Sequence, residues 1–184
     1  DLPAATVLRG NFEGSFFLTS SLAHANREML RGLLETGQCE IGALPFEEGE
    51  PTSPSARFRA VADCFGRVLP EVDFHLRHHW PPNFDRPASG KFVLMQPWEF
   101  GRIPSAWIAP IRANVDQVWA LSEYVRTCYL DSGVDPEKVV VVPLGVDSER
   151  FNPQAEPMSL ATEKSFKFLF VGGTLYRKGI DLLL

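Results

Sequence analysis

The sequence has few cysteines and no long apolar run. Its three cysteines, Cys39, Cys64 and Cys128, are far apart and not in CxxC spacing, which fits reduced, buried thiols better than a disulfide framework or a metal knot. No apolar stretch reaches the roughly 18 to 20 residues that a bilayer-spanning helix needs. The first residue is Asp1 rather than a methionine, so whether a further segment precedes it stays open.

The chain also lacks an excess of basic residues. Its 184 residues include 18 Lys and Arg against 23 Asp and Glu, for a net charge of -5. A protein that binds nucleic acid usually carries a basic stripe, whereas these cations are scattered, so nucleic acid is not expected as a partner. At 45% hydrophobic, the chain can fill one sizeable core but is short for two.

Several catalytic and cofactor motifs are missing as well. There is no HExxH motif or Cys/His cluster, so His75, His78 and His79 lack the further ligands that a metal site would need, and no metal is expected. The absence of GxSxG argues against a serine hydrolase. The first predicted turn, NFEGS, lacks the pyrophosphate fingerprint of an NAD-dependent oxidoreductase.

The pattern of strands and helices predicts an α/β protein with a Rossmann-like, doubly wound parallel sheet. Mostly apolar segments predict strands at 5–10, 39–44, 72–78, 91–96, 116–122 and 139–143. Residues 11–15 read as a turn that contains Gly14. Helical spacing and capping residues predict helices from Ser20 or Ser21 to Glu35, at 56–65, at 106–113 with an interruption at Pro110, and at 123–132.

The last twenty residues resemble the opening of a second α/β domain. Residues 166–171 form a near-continuous apolar run that predicts a buried strand, followed by a turn at Gly172 and Gly173. A short loop with Arg177 and Lys178 then leads into an apolar helix after Gly179. Because one strand and half a helix cannot bury their apolar faces, the sequence is expected to be truncated.

These features predict three parts of the chain. Residues 1–150 form an N-terminal Rossmann-like domain, residues 151–165 form an interdomain linker, and residues 166–184 form the incomplete start of a C-terminal domain.

Two segments carry a family resemblance. The strand-helix-strand VWALSEYVRTCYLDSGVDPEKVVVVPLGVDSERFNP, residues 118–153, and the end FLFVGGTLYRKGIDLLL resemble family-four (group 1) glycosyltransferases of the two-Rossmann-domain GT-B fold. The segments MQPWEFGRIPSAW and RHHWPPNF resemble a bacterial subgroup more weakly. The resemblance covers all or most of the N-terminal, acceptor-side domain and only the start of the C-terminal, donor-binding domain.

The resemblance implies a site for the donor diphosphate. A transferase without a DxD metal motif must neutralise that diphosphate with cations and backbone N–H groups. The family's basic pair maps onto Lys178 with Arg177 beside it, after the Gly172-Gly173 turn, although many members have an arginine where this chain has Gly173. Gly14 corresponds to the glycine that faces the diphosphate. The alternatives are a solvated charged loop and an ordinary turn glycine.

Glu99 is the predicted catalytic residue. It follows a predicted strand, at the edge where open α/β sheets bind ligands, and it matches the place where family members put a histidine or an acidic residue near the transferred sugar. Trp98 and Phe100 are expected to restrict solvent around it, which raises the pKa of a carboxylate or demands a partner. The alternative is a structural carboxylate that pairs with Arg102 or caps a helix.

The implied activity is transfer of a sugar from a nucleotide-diphosphate donor to a hydroxyl acceptor, with retention and without a metal or other cofactor. The acceptor is expected to be a saccharide or lipid-linked saccharide, and the enzyme cytoplasmic, with peripheral contact at the inner face of the membrane left open. The 184 residues alone are expected to be inactive. The alternatives are a nucleotide-sugar epimerase of the same fold and a non-catalytic α/β binding module.

Overall fold

The computed structural model describes residues 7–49 and 61–184. Contacts between Cα atoms divide the chain into two compact units, residues 1–145 and residues 146–184. The predicted domain boundaries at residues 150 and 165 stay predictions. No helix among the described residues is long and apolar enough to cross a membrane.

The first unit is built on a parallel sheet. Its six strands lie in the order β2-β1-β3-β4-β5-β6, and every neighbouring pair is parallel, which confirms the predicted fold class. The strands are β1 (Leu8–Gly14), β2 (Cys39–Pro45), β3 (Phe74–His78), β4 (Lys91–Met95), β5 (Gln117–Ala120) and β6 (Val139–Val141).

The strand order reverses at β1. The chain runs from β1 outward to β2 and then returns to β3 on the other side of β1. In open α/β sheets, such a topological switch point opens a crevice at the carboxyl ends of the strands, where ligands bind. Here those ends are Gly14 of β1 and His78 of β3, which are paired in register.

Helices cover both faces of the sheet. Along β4, Val93 and Met95 join the apolar cluster with α1 (Ser21–Glu35), whereas Phe92 and Leu94 join the cluster with α2 (Ser105–Asn114) and α3 (Glu123–Asp131). This alternation is the period of two that a strand imposes. Burial of these apolar side chains on both faces stabilises the layered fold.

A capping serine begins each of two helices, and Ser20 is one of the two caps predicted for α1. The Ser20 hydroxyl accepts a hydrogen bond of 3.2 Å from the Ala23 N–H at the start of α1, and Ser122 does the same for Val125 at the start of α3. Gly37 lies just past the end of α1 with φ of 64°, a left-handed conformation that favours glycine.

Two local predictions in the first unit are wrong. Four residues of the predicted turn at 11–15, residues 11–14, are instead the second half of β1, because the polar side chains of Asn11 and Glu13 find partners inside the fold. The predicted interruption at Pro110 is absent, since α2 is continuous from Ser105–Asn114. The neighbouring Ile111 is fully buried, and such packing offsets the hydrogen bond that proline removes.

The predicted helix at 56–65 is tested only in part. Residues 56–60 lie outside the described residues, and Ala62–Cys64 form a 3₁₀ turn rather than an α-helix. Residues 5 and 6 of the first predicted strand also lie outside the described residues.

The second unit has little regular structure. The predicted strand at residues 166–171 does not form, and the side chains of Phe166 and Leu169 are 73% and 85% exposed. A strand needs neighbours for its backbone groups and both of its faces, and these residues have none. Tyr176–Lys178 form a 3₁₀ turn, and Gly179 then leads into the short helix α4 (Ile180–Leu183).

Candidate functional site at the carboxyl edge of the sheet

A buried charged cluster lies on β1 and β3. Glu13 and Arg77 are directly paired in the register of these strands, and the Arg77 Nε–H donates to Glu13 Oε2 at 2.8 Å. His75 Nε2 lies 3.0 Å from the same oxygen. Arg77 and His75 are only 6% and 7% exposed, so this arrangement places an ion pair inside a parallel sheet whose strands are usually apolar.

The surroundings of Glu13 keep its carboxylate ionised. Burial alone would raise the pKa of Glu13, but the contacts of the carboxylate with His75, His79 and Arg77 outweigh burial and hold that pKa well below its usual range. The side chain is still 23% exposed. At neutral pH the cluster therefore presents a charged acceptor close to solvent.

Arg77 also organises the chain that follows β3. Its guanidinium donates to the carbonyl oxygens of Asn83 and Asp85 at 3.1 and 2.7 Å. Its carbon Cζ lies 4.7 Å from the centroid of the Phe92 ring, a cation–π distance. One buried side chain thus fixes Glu13 and the loop beside the switch point.

Asn26 of α1 ties the ends of β1 and β3 together. Its Nδ2 group donates to the carbonyl oxygens of Ser15 and His78 at 2.8 and 2.9 Å, and its Oδ1 contacts His78 Nδ1. A Cβ on Gly14 would lie 2.5 Å from the His78 oxygen and 2.6 Å from Asn26 Nδ2. Glycine is therefore required at this position by close packing within the protein.

His78 is buried without a charge partner. Burial, together with the charge of His79, lowers the pKa of His78 to about 4. Its imidazole is neutral at neutral pH for this reason, and its Nδ1 is engaged by Asn26.

His79 lies at the switch point beneath an aromatic ring. The ring of Phe46 stacks on the His79 imidazole with centroids 4.7 Å apart and an interplanar angle of 17°. His79 is 4% exposed, whereas Phe46 is 53% exposed. The Phe46 N–H donates to the Gly14 carbonyl at 2.8 Å, which holds this residue over the ends of β1 and β3.

Buried polar atoms without a hydrogen-bond partner gather at this edge. In residues 7–49 and 61–184, all six such side-chain atoms lie at or just after the carboxyl ends of β2, β3 and β4. Native proteins leave few buried polar groups unpaired, and each one calls for an explanation such as a ligand. The atoms are Glu47 Oε1, His78 Nε2, His79 Nδ1, His79 Nε2, Gln96 Oε1 and Trp98 Nε1.

Glu99 lies on the loop after β4, as predicted, but it is exposed. The expected exclusion of solvent by Trp98 and Phe100 is therefore wrong, because these rings pack against each other and Trp98 packs on Trp107. The loop itself is fixed to α3, since the Gly101 N–H donates to the Tyr124 hydroxyl at 3.0 Å.

The structure does not bring Gly14 and Glu99 into adjacent positions. They lie at the same edge of the sheet, but β3 separates β1 from β4. Neighbouring strands are about 4.8 Å apart, so β1 and β4 are about two strand spacings from each other, and Glu99 lies four residues beyond the end of β4.

Apart from Gly14, which ends β1, the predicted diphosphate residues lie in the second unit. Gly172 and Gly173 precede the 3₁₀ turn that contains Arg177 and Lys178, and the Leu175 N–H donates to the Gly173 carbonyl at 2.8 Å. Neither glycine has a positive φ. In this unit it is Gly179, with φ of 70°, that adopts the left-handed conformation.

The smaller of two grooves on the first unit reaches this edge of the sheet, since Pro45 and Glu47 line it. Across the described ranges, no group of three or more His, Cys, Asp or Glu side chains is arranged to hold a metal ion. Grooves of about 560 and 350 Å³ lie on the first unit, and neither is lined by Gly14 or Glu99.

Sequence reasoning missed the partners of Glu13. The signal was present: the segments NFEG and FHLRH alternate polar and apolar residues, although strands buried on both faces are normally apolar throughout. Glu13 and Arg77 are 64 residues apart, so only the register of β1 and β3 reveals their contact.

Comparison with protein families connects this fold to a known class. Residues 73–150 match the family model described as Glycosyltransferase Family 4. The match extends from the start of β3 through β6 and includes most of the segment at residues 118–153. The predicted resemblance to family-four glycosyltransferases is therefore confirmed for this stretch.

Two solved structures of HepE (Alr3699) from Anabaena are similar to the chain. One is a complex with UDP and glucose (TM-score 0.47, 9% identity) and the other a complex with UDP-glucose (TM-score 0.48, 11% identity). Each match covers 79% of this chain and 47% of the solved chain, so the chain spans about half of their length. No curated protein matches the chain.

Proposed function

We propose that this chain supplies the acceptor-side domain of a glycosyltransferase that moves a hexosyl group from a nucleotide-diphosphate sugar to a hydroxyl acceptor. The observation that carries the proposal is the match of residues 73–150 to Glycosyltransferase Family 4. The sheet supports it, because the unpartnered polar atoms gather at the carboxyl edge, where this class of sheet binds ligands.

Glu99 is proposed as the catalytic residue, and the proposed contacts of the donor diphosphate are Gly14, Gly172, Gly173, Arg177 and Lys178. From the resemblance to family-four glycosyltransferases, the reaction is proposed to retain the anomeric configuration and to need no metal or other cofactor. A saccharide or lipid-linked saccharide is the proposed acceptor, and the enzyme is proposed to act in the cytoplasm.

The test is a donor screen on the protein encoded by the complete open reading frame. UDP-, GDP- and ADP-sugars are incubated with a panel of methyl glycosides, and release of nucleoside diphosphate and the glycoside product are both measured. We expect one donor to be consumed with acceptor-dependent product. Donor conversion that does not depend on any acceptor would favour the epimerase, and no conversion of any donor would contradict the proposal.

A further inference from the structure

His79 is unusual among the described side chains because both of its ring nitrogens are buried without a hydrogen-bond partner. Its Nε2 lies 3.4 Å from Glu13 Oε1, close enough for electrostatic attraction but long for a hydrogen bond. The Nδ1 of this buried imidazole has no partner and its Nε2 has only the long contact with Glu13, so the ring is incompletely satisfied. The position of His79, one residue past β3 at the switch point, makes a ligand the natural partner.

Glu13 offers one carboxylate oxygen toward His79. Its Oε2 is occupied by Arg77 and His75, whereas its Oε1 faces His79. The Arg77 guanidinium fixes the orientation of the carboxylate, and the side chain retains access to solvent. Glu13 and His79 therefore form a preorganised pair, with an acceptor on one side and a ring nitrogen on the other.

The chemistry of this pair selects one class of ligand. A hydroxyl group can donate to a carboxylate and accept from an imidazole N–H at the same time. Because the two protein atoms are 3.4 Å apart, one oxygen can lie about 2.8 Å from both. A phosphate is disfavoured, since the nearest protein oxygen is a charged carboxylate that repels an anion.

We propose that Glu13 and His79 bind a sugar hydroxyl of the acceptor and that the Phe46 ring covers this subsite. Phe46 stacks directly on His79, and its half-exposed ring can rotate into solvent while its backbone stays bonded to Gly14. This proposal rests on the proposed function, because it names the acceptor-binding residues of that same reaction.

The direct test is an NMR titration that follows the ring nitrogens of His79. Methyl β-D-glucopyranoside, methyl α-D-mannopyranoside, methyl β-D-galactopyranoside, UDP and GDP are the probes, and the exposed His24 is the internal control. At least one glycoside should shift the His79 signals and leave His24 unchanged, while UDP and GDP should not shift them. A response to the nucleotides, or no response to any glycoside, would overturn the proposal.

Variants test the cover and the pair separately. Phe46→Ala should raise the affinity of the protein for the glycoside that shifts the His79 signals at least threefold, because no ring has to move. An unchanged affinity would refute the role of Phe46 as a cover.

In an active enzyme, His79→Asn should raise the acceptor KM at least tenfold and leave the donor KM within twofold, whereas His24→Asn should change neither. An unchanged acceptor KM would overturn the subsite while the transferase assignment stands. An enzyme that consumes no donor would refute the transferase, and the titration would still decide the subsite.

Discussion

One face of the sheet differs between its two halves. Across β4 and β5 this face carries Phe92, Leu94 and Val118, which are buried beneath α2 and α3. Across β1 and β3 the same face carries the polar or charged side chains of Asn11, Glu13, His75 and Arg77, as the register of the strands shows. Burial of the apolar side chains across β4 and β5 stabilises the fold. Burial of the ion pair across β1 and β3 has a desolvation cost that apolar packing avoids. The proposed acceptor subsite of Glu13 and His79 belongs to the polar half.

The largest effect is expected from breaking the buried ion pair. Arg77→Met leaves the Glu13 carboxylate partly buried without its guanidinium and removes the bonds to the Asn83 and Asp85 carbonyls. Loss of one partner of a buried pair destabilises a protein by about 3 to 5 kcal/mol. Urea unfolding of the variant and the parent would measure this change.

The matched control is Arg86→Met. Arg86 pairs with Asp116 through side chains that are 47% and 36% exposed, and exposed pairs contribute about 1 kcal/mol or less. Equal losses of unfolding free energy in the two variants would contradict this prediction. They would mean that the Glu13–Arg77 pair contributes no more to stability than an exposed ion pair.

The second effect is a loss of stability in acid caused by His78. Because the folded pKa of about 4 lies below the ordinary value of 6.5, the unfolded chain binds a proton between these pH values that the folded protein does not. Stability therefore falls as the pH falls from about 6.5 to about 4, by at most about 3 kcal/mol. His78→Gln should flatten the curve of unfolding free energy in this window.

Two comparisons distinguish the effect of His78 on the stability curve from the effects of other titratable groups. His24→Gln, at an exposed position of α1, should leave the curve unchanged. Glu13 acts at lower pH, because its depressed pKa makes its contribution complete above about pH 4.5 and lost as the pH falls further. A parent curve that is flat between pH 6.5 and 4 would contradict the burial of a neutral His78.

A smaller effect is expected at the glycines. Gly14→Ala places a Cβ against the His78 carbonyl and Asn26, and such overpacking costs about 1 to 3 kcal/mol. Gly32→Ala meets nothing within 4 Å and lies inside α1, where alanine is favoured by about 1 kcal/mol. The two variants should shift the thermal midpoint in opposite directions. Shifts of the same sign would mean that the contact at Gly14 relaxes easily.

The sequence predicted the positions of strands and helices better than the contacts of the site residues. Apolar runs located the strands, and Ser20 located the start of α1, because these signals are local. The polar residues of NFEG were interpreted as a turn, since periodicity cannot show that Glu13 meets Arg77 across two strands. The run at 166–171 was interpreted as a strand because its composition fits one, but a strand also needs neighbours.

The predicted roles of the site residues stay predictions, and one expectation about their surroundings was wrong. The position of Glu99 after β4 follows from strand order, but its exposure depends on how Trp98 and Phe100 pack. Gly14 was expected to face the donor diphosphate. In the structure, a side chain at this position would clash with His78 and Asn26, so packing within the protein already explains the glycine. The roles of Gly172, Gly173, Arg177 and Lys178 stay predictions.

The most direct test of the functional difference between the two halves is a kinetic comparison of Glu13→Gln with Leu94→Val in the enzyme from the complete open reading frame. Both rates are normalised to folded protein. Glu13→Gln should lower kcat/KM for the acceptor at least tenfold, because charged hydrogen bonds contribute about 1.5 to 3 kcal/mol. Leu94→Val, in the apolar half, should lower stability by about 1 kcal/mol and change kcat/KM less than twofold. Equal kinetic losses in the two variants, or a fully active Glu13→Gln enzyme, would contradict the assignment of function to the polar half.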